Sequence, residues 1–109
     1  MKTYLMVLGL AALLQGAGWR SDLEEARRLE AAGQPDATEQ SEREYAKLVA
    51  RAAELPPLES NALALELFYA GRYHDAEPVY RAALAGWERL GTQGVRDRIV
   101  TAANLGTLL

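Results

Sequence analysis

The chain has 109 residues, half of them apolar, and its wealth of Ala and Leu favours helices over strands in one small domain. A net charge of −3 gives no basic footprint for nucleic acid. With no cysteine, disulfides, thiolate metal sites and a lipid-modified cysteine are excluded.

The N-terminus has the three-part plan of a secretory signal peptide. Lys2 supplies the positive charge. Tyr4 to Leu14 is an apolar run of 11 residues broken only by Gly9. Gln15-Gly16-Ala17-Gly18 then offers small residues for cleavage after Gly18. The run falls short of the roughly 20 apolar residues of an ordinary membrane span, so no stable span is expected. Residues 1–18 are read as a leader, and the protein as exported: periplasmic or secreted, in a bacterium.

Ser21 has Glu24 three residues on, the capping-box pattern, and predicts a helix through Leu23, Ala26 and Leu29 that stops at Gly33. A second helix is predicted from about Asp36 to Leu55. Tyr45, Leu48, Val49, Ala52 and Leu55 recur on it at three- and four-residue steps, an amphipathic stripe. Glu39–Arg43 and Glu44–Lys47 are helix-compatible charge pairs on its wet side. Pro56-Pro57 ends it. The third helix is predicted over Leu58 to Ala70, closed by Gly71. Arg72-Tyr73-His74 makes a short turn, and Asp75 caps a fourth helix with Pro78 in its first turn. That helix reaches Leu90, and Gly91 to Gly94 form the next loop. A fifth helix begins near Arg96 and still runs at Leu109 with no cap, the pattern expected of the N-terminal part of a longer array.

Ala103-Asn104-Leu105-Gly106 repeats the character of Asn61-Ala62-Leu63-Ala64 at a fixed offset of 42 residues. Such a period marks a repeat architecture, in which one helix pair cannot bury its apolar face alone. At 100° per residue, Leu63, Ala64 and Leu67 share one face of the third helix. Ala76, Tyr80 and Ala83 form a facing stripe on the fourth, one large ring flanked by small residues. From Asn61 onward the chain resembles a tetratricopeptide repeat of the long-period subclass seen in kinesin light chains. Leu63, Ala64, Leu67, Gly71, Tyr73, Ala76, Tyr80, Ala83 and Leu84 fall where that pattern wants them. The run Gly-Arg-Tyr-x-x-Ala-Glu-Pro-x-Tyr at 71–80 is especially close.

The resemblance implies an all-α solenoid of antiparallel helix hairpins. Residues 58–94 would be one repeat, with Leu63, Ala64, Leu67, Gly71, Ala76, Tyr80 and Ala83 as its core. Residues 95–109 would be the first helix of a further, truncated repeat. Residues 19–57 read as a degenerate first helix pair serving as an end cap. There Tyr45 corresponds to Tyr80 and Gly33 to Gly71, and Leu48 stands where the repeat has Ala83. In such arrays the first helix of each pair lines a concave groove, which makes Asn61, Leu65, Tyr69 and Thr107 groove candidates. Leu65 and Phe68 also suit packing against neighbouring repeats. The basic residues that clamp peptide carboxylates in some family members are replaced here by Asn61 and Leu65, and by Ala103 and Thr107.

His74 is the only histidine and lies in a turn beside Asp75, which makes neither a metal site nor a Ser–His–Asp triad. The glutamates sit on solvated faces. No catalytic constellation and no cofactor are expected within these residues. Trp19 is expected near the mature N-terminus and Trp87 over the junction to the next repeat. The function these features imply is a protein–protein interaction scaffold outside the cytoplasm, binding a protein, a peptide or its own kind. The alternative is a regulatory or targeting arm of a larger exported enzyme, for example a caspase-like protease, whose catalytic domain lies beyond residue 109.

Overall fold

Glycines and prolines partition the chain into helices. The computed structural model describes residues 18–91 and 95–109, and they are all-α, with no strand among them. Helix α1 covers residues 18–32, α2 Pro35–Arg51, α3 Pro57–Tyr69, α4 Tyr73–Arg89 and α5 Val95–Leu108, with a 3-10 turn at Ala52–Glu54 after α2. The leader expected over residues 1–18 lies, apart from Gly18, outside the described residues. The chain divides into two compact units between Glu44 and Tyr45, inside α2.

In the first unit, Trp19, Leu23, Ala26 and Leu29 form the buried stripe of α1. Trp19 is fully buried, which carries the helix one turn upstream of its expected start. Ser21 is therefore no cap; it is an exposed residue inside α1. The Ser-x-x-Glu pattern is local, and burial of the indole overrides it. Gly33 ends α1 at φ +69°, with its N–H donating to the Glu30 carbonyl at 3.3 Å. Ser41 on α2 is buried, and its hydroxyl donates to the Ala26 carbonyl on α1 at 3.0 Å.

In the second unit, α2 stops at Arg51, earlier than its apolar stripe predicts, and tightens into the 3-10 turn. The cause is Pro56, which disfavours helical backbone at the residue before it. Leu55 accordingly adopts φ −79°, ψ 151°, and still buries its side chain along with Tyr45, Leu48 and Ala52. Pro57 opens α3, where a missing N–H costs nothing. Ser60, buried one turn later, donates its hydroxyl to the Ala52 carbonyl at 2.7 Å and ties α3 to the 3-10 turn.

Helix α3 ends in a Schellman motif. Gly71 sits at φ +78°; its N–H reaches the Phe68 carbonyl at 3.0 Å, and the Arg72 N–H reaches the Leu67 carbonyl at 2.9 Å. The chain then reverses, and α4 packs along α3. Leu63, Ala64 and Leu67 on α3 and Ala76, Val79, Tyr80 and Ala83 on α4 are all buried. Helix α4 begins at Tyr73, two residues before the expected cap. Its cap residue is Arg72, with no side-chain capping bond. Asp75 lies within the first turn and accepts a bond from Arg72 Nε at 2.8 Å. The earlier start moves Pro78 just past the first turn, where its missing N–H leaves the carbonyl of exposed His74 without its usual partner.

Near the open end of the hairpin the backbone of α4 at Gly86 meets the Pro57 ring of α3 with no side chain of its own between them. A Cβ added to Gly86 would lie 2.5 Å from Pro57 Cγ. Gly86→Ala should therefore lower stability by about 1–3 kcal/mol through overpacking, read as a lower denaturant midpoint at unchanged m-value. Burial also pushes the Tyr80 phenol above its ordinary value of 10.0, with the charge of Tyr69 adding to it. The folded state thus holds the neutral phenol while the unfolded chain ionises. That contribution to stability is intact below pH 10, roughly the unfolded value, and is lost as pH rises through the folded one. Alkaline melts of Tyr80→Phe should show a shallower fall above that pH than the parent protein.

Candidate interaction surface

Helix α5 lies along α4, and a chain of hydrogen bonds joins α3, α4 and α5. Trp87 Nε1 on α4 donates to Thr101 Oγ1 on α5 at 3.0 Å, and Thr101 Oγ1 donates to Asn61 Oδ1 on α3 at 3.2 Å. An indole N–H only donates and an amide oxygen only accepts, so the middle member must do both, which a hydroxyl does. Thr101 is 1% exposed and Trp87 7%. Trp87 thus covers the α4–α5 junction. Asn61, read from the sequence as a groove residue, is half-buried and turns its amide oxygen into this chain. Thr101 had no sequence signal beyond being a small polar residue one turn before Leu105.

The outer surface of the hairpin is aromatic. Tyr69 is 79% exposed and Tyr73 53%, and Leu65 and Phe68 are half-buried. Phe68 meets Tyr69 edge-on at 5.7 Å between ring centroids and Tyr73 at 5.2 Å with the planes tilted by 52°. Phe68 and Tyr73 share a small open pocket of about 160 Å³ with Thr107 and Leu108 of α5. The Thr107 hydroxyl donates within its own helix to the Ala103 carbonyl at 3.0 Å. Of the four groove candidates, Thr107 reaches this pocket, Tyr69 adjoins it through Phe68, Leu65 lies between surface and interior, and Asn61 faces the polar chain. Tyr73, read from the sequence as a turn residue and as a position of the repeat pattern, joins the cluster because α4 starts there.

Beside the cluster the Arg72 guanidinium lies 3.6 Å from the centroid of the Tyr45 ring and bonds Asp75. Both side chains of that ion pair are largely covered, at 11% and 16% exposure. His74 Nε2 stands 3.5 Å from the other Asp75 oxygen, out on the surface. Among the described residues no three His, Asp or Glu side chains gather as metal ligands, and no helix is long and apolar enough to cross a membrane.

No family model matches this chain, and no curated protein or solved structure matches it. What the surface can do is therefore read from its own residues. Exposed aromatic rings around a pocket the size of one or two side chains suit apolar contact with another polypeptide.

Two substitutions separate surface from interior. Tyr69→Ala should change the unfolding free energy from urea melts by no more than about 0.5 kcal/mol. Asn61→Ala, which removes the acceptor of a buried hydroxyl, should cost about 1–3 kcal/mol.

Proposed function

We propose that the protein is a protein–protein interaction scaffold of tetratricopeptide-repeat type that works outside the cytoplasm. The hairpin α3–α4 supports the repeat reading. It buries Leu63, Ala64 and Leu67 together with Ala76, Tyr80 and Ala83, and it turns on a left-handed glycine. The 42-residue recurrence adds to it, since Leu105 on α5 is buried as Leu63 is on α3. The leader-like residues 1–18 support export.

The observation that carries the functional part is the aromatic cluster Phe68, Tyr69 and Tyr73 presented on a hairpin whose core is otherwise closed. Rings held in the open by a rigid scaffold contribute little to its own stability and offer contact area at low conformational cost. The partner is a protein or peptide with an apolar side chain for the Phe68–Tyr73 pocket, or a second copy of the chain.

The deciding experiment is affinity capture of the exported protein under native conditions, beside light scattering and a Tyr69→Ala/Tyr73→Ala control. The expected outcome is a specific partner, or a dimer, that the double variant loses while its circular dichroism and melting temperature stay unchanged. A monomer that retains nothing, or a partner retained equally by the double variant, overturns the reading.

A further inference from the structure

Helix α5 is held differently from the two helices it adjoins. Among its described side chains only Thr101 and Leu105 are buried. By contrast α3 buries Ser60, Leu63, Ala64 and Leu67, and α4 buries Ala76, Val79, Tyr80, Ala83 and Trp87. The far side of α5 has no cover: Ile99 is 62% exposed and Val100 50%, and a Cβ on Gly106 would meet nothing within 4 Å. Apolar burial, the main source of local stability, is thus thin over residues 98–108. Among the described side chains its hold on the hairpin is Leu105, the half-buried Leu108 beside Phe68 and Tyr73, and the polar chain from Trp87 through Thr101 to Asn61.

We propose that α5 is a latch helix, which leaves and re-docks as a unit while α3 and α4 stay folded, and that the Thr101 hydroxyl sets how often it opens. Opening frees the Trp87 N–H and the Asn61 oxygen to bind water, so neither is left buried and unpaired. The hydroxyl's contribution is therefore orientation and pairing in the closed state. In the open state the hairpin exposes the Trp87 indole with a hydrogen-bond donor on α4 and an acceptor at Asn61. That face has the width of one helix, because one helix covers it when closed. The chain so occludes with its own segment a surface around Trp87 and Asn61, while Thr107 and Leu108 of that segment line the neighbouring pocket at Phe68 and Tyr73.

Hydrogen exchange on the full chain, read by mass spectrometry under conditions where closing outpaces exchange, tests this. Amides of 99–108 should exchange at least about tenfold faster than those of 63–67 and 79–83, as expected for a sub-global opening. Thr101→Val, which keeps the shape and removes the hydroxyl, should speed exchange in 99–108 by a further factor of about ten and leave 63–67 within about twofold. Thr101→Ser should restore slow exchange. Equal protection of α5 and α3 in the parent protein overturns the proposal, since α5 then opens only when the hairpin unfolds. Acceleration by Thr101→Ser as large as by Thr101→Val overturns the role of the hydroxyl. If Thr101→Val fails to fold, the parent gradient and the serine variant still decide.

Discussion

At Gly71 the backbone enters the left-handed region, and the second unit is arranged around that reversal. The Phe68 and Leu67 carbonyls in the last turn of α3 take their hydrogen bonds from the Gly71 and Arg72 N–H groups, so the helix closes without borrowing a side chain. The same turn aims Arg72. Its guanidinium lies on the Tyr45 ring and grips Asp75, joining the last half of α2 to the start of α4. A residue with a Cβ would be strained here although nothing crowds the position, which locates the constraint in the backbone and not in packing. Tyr80 then settles among small residues because the two helices have already been brought alongside.

Much of this arrangement was legible because it is written in residues whose effect is local. Gly33 and Gly71 end helices through their own backbone freedom, and the proline pair sets a boundary through ring geometry. The stripes Leu63, Ala64, Leu67 and Ala76, Tyr80, Ala83 follow from helical period alone. The errors came where a local signal met a distant one. Ser21 and Asp75 both look like caps, yet burial of Trp19 extends α1 past the first, and the reversal at Gly71 starts α4 ahead of the second. The close approach of Gly86 to Pro57 links residues 29 apart and has no periodic trace.

The surface was harder to read for a related reason. Face assignment on a helix tells which residues point together, but not what a third helix brings to them. Asn61 shares a side of α3 with Leu65 and Tyr69, and only the position of α5 shows that its oxygen belongs to Thr101. Phe68 and Tyr73 sit on different helices and meet because the turn between them is so short. The described residues are all-helical, and the repeat reading proposed for them draws on the sequence pattern and on the geometry of one hairpin.

The hairpin is clasped at both extremities: by the glycine reversal at one, and by bare backbone of α4 against a proline ring of α3 at the other. Two rods so fastened cannot slide past one another, and close packing leaves little slack between them. Any change of volume in their middle must be relieved sideways. The direction with the least resistance is toward α5, whose outer side is open to solvent. Adjustments deep in the pair should thus surface as tilt of the third rod, making the hairpin a lever whose output is the orientation of its neighbour.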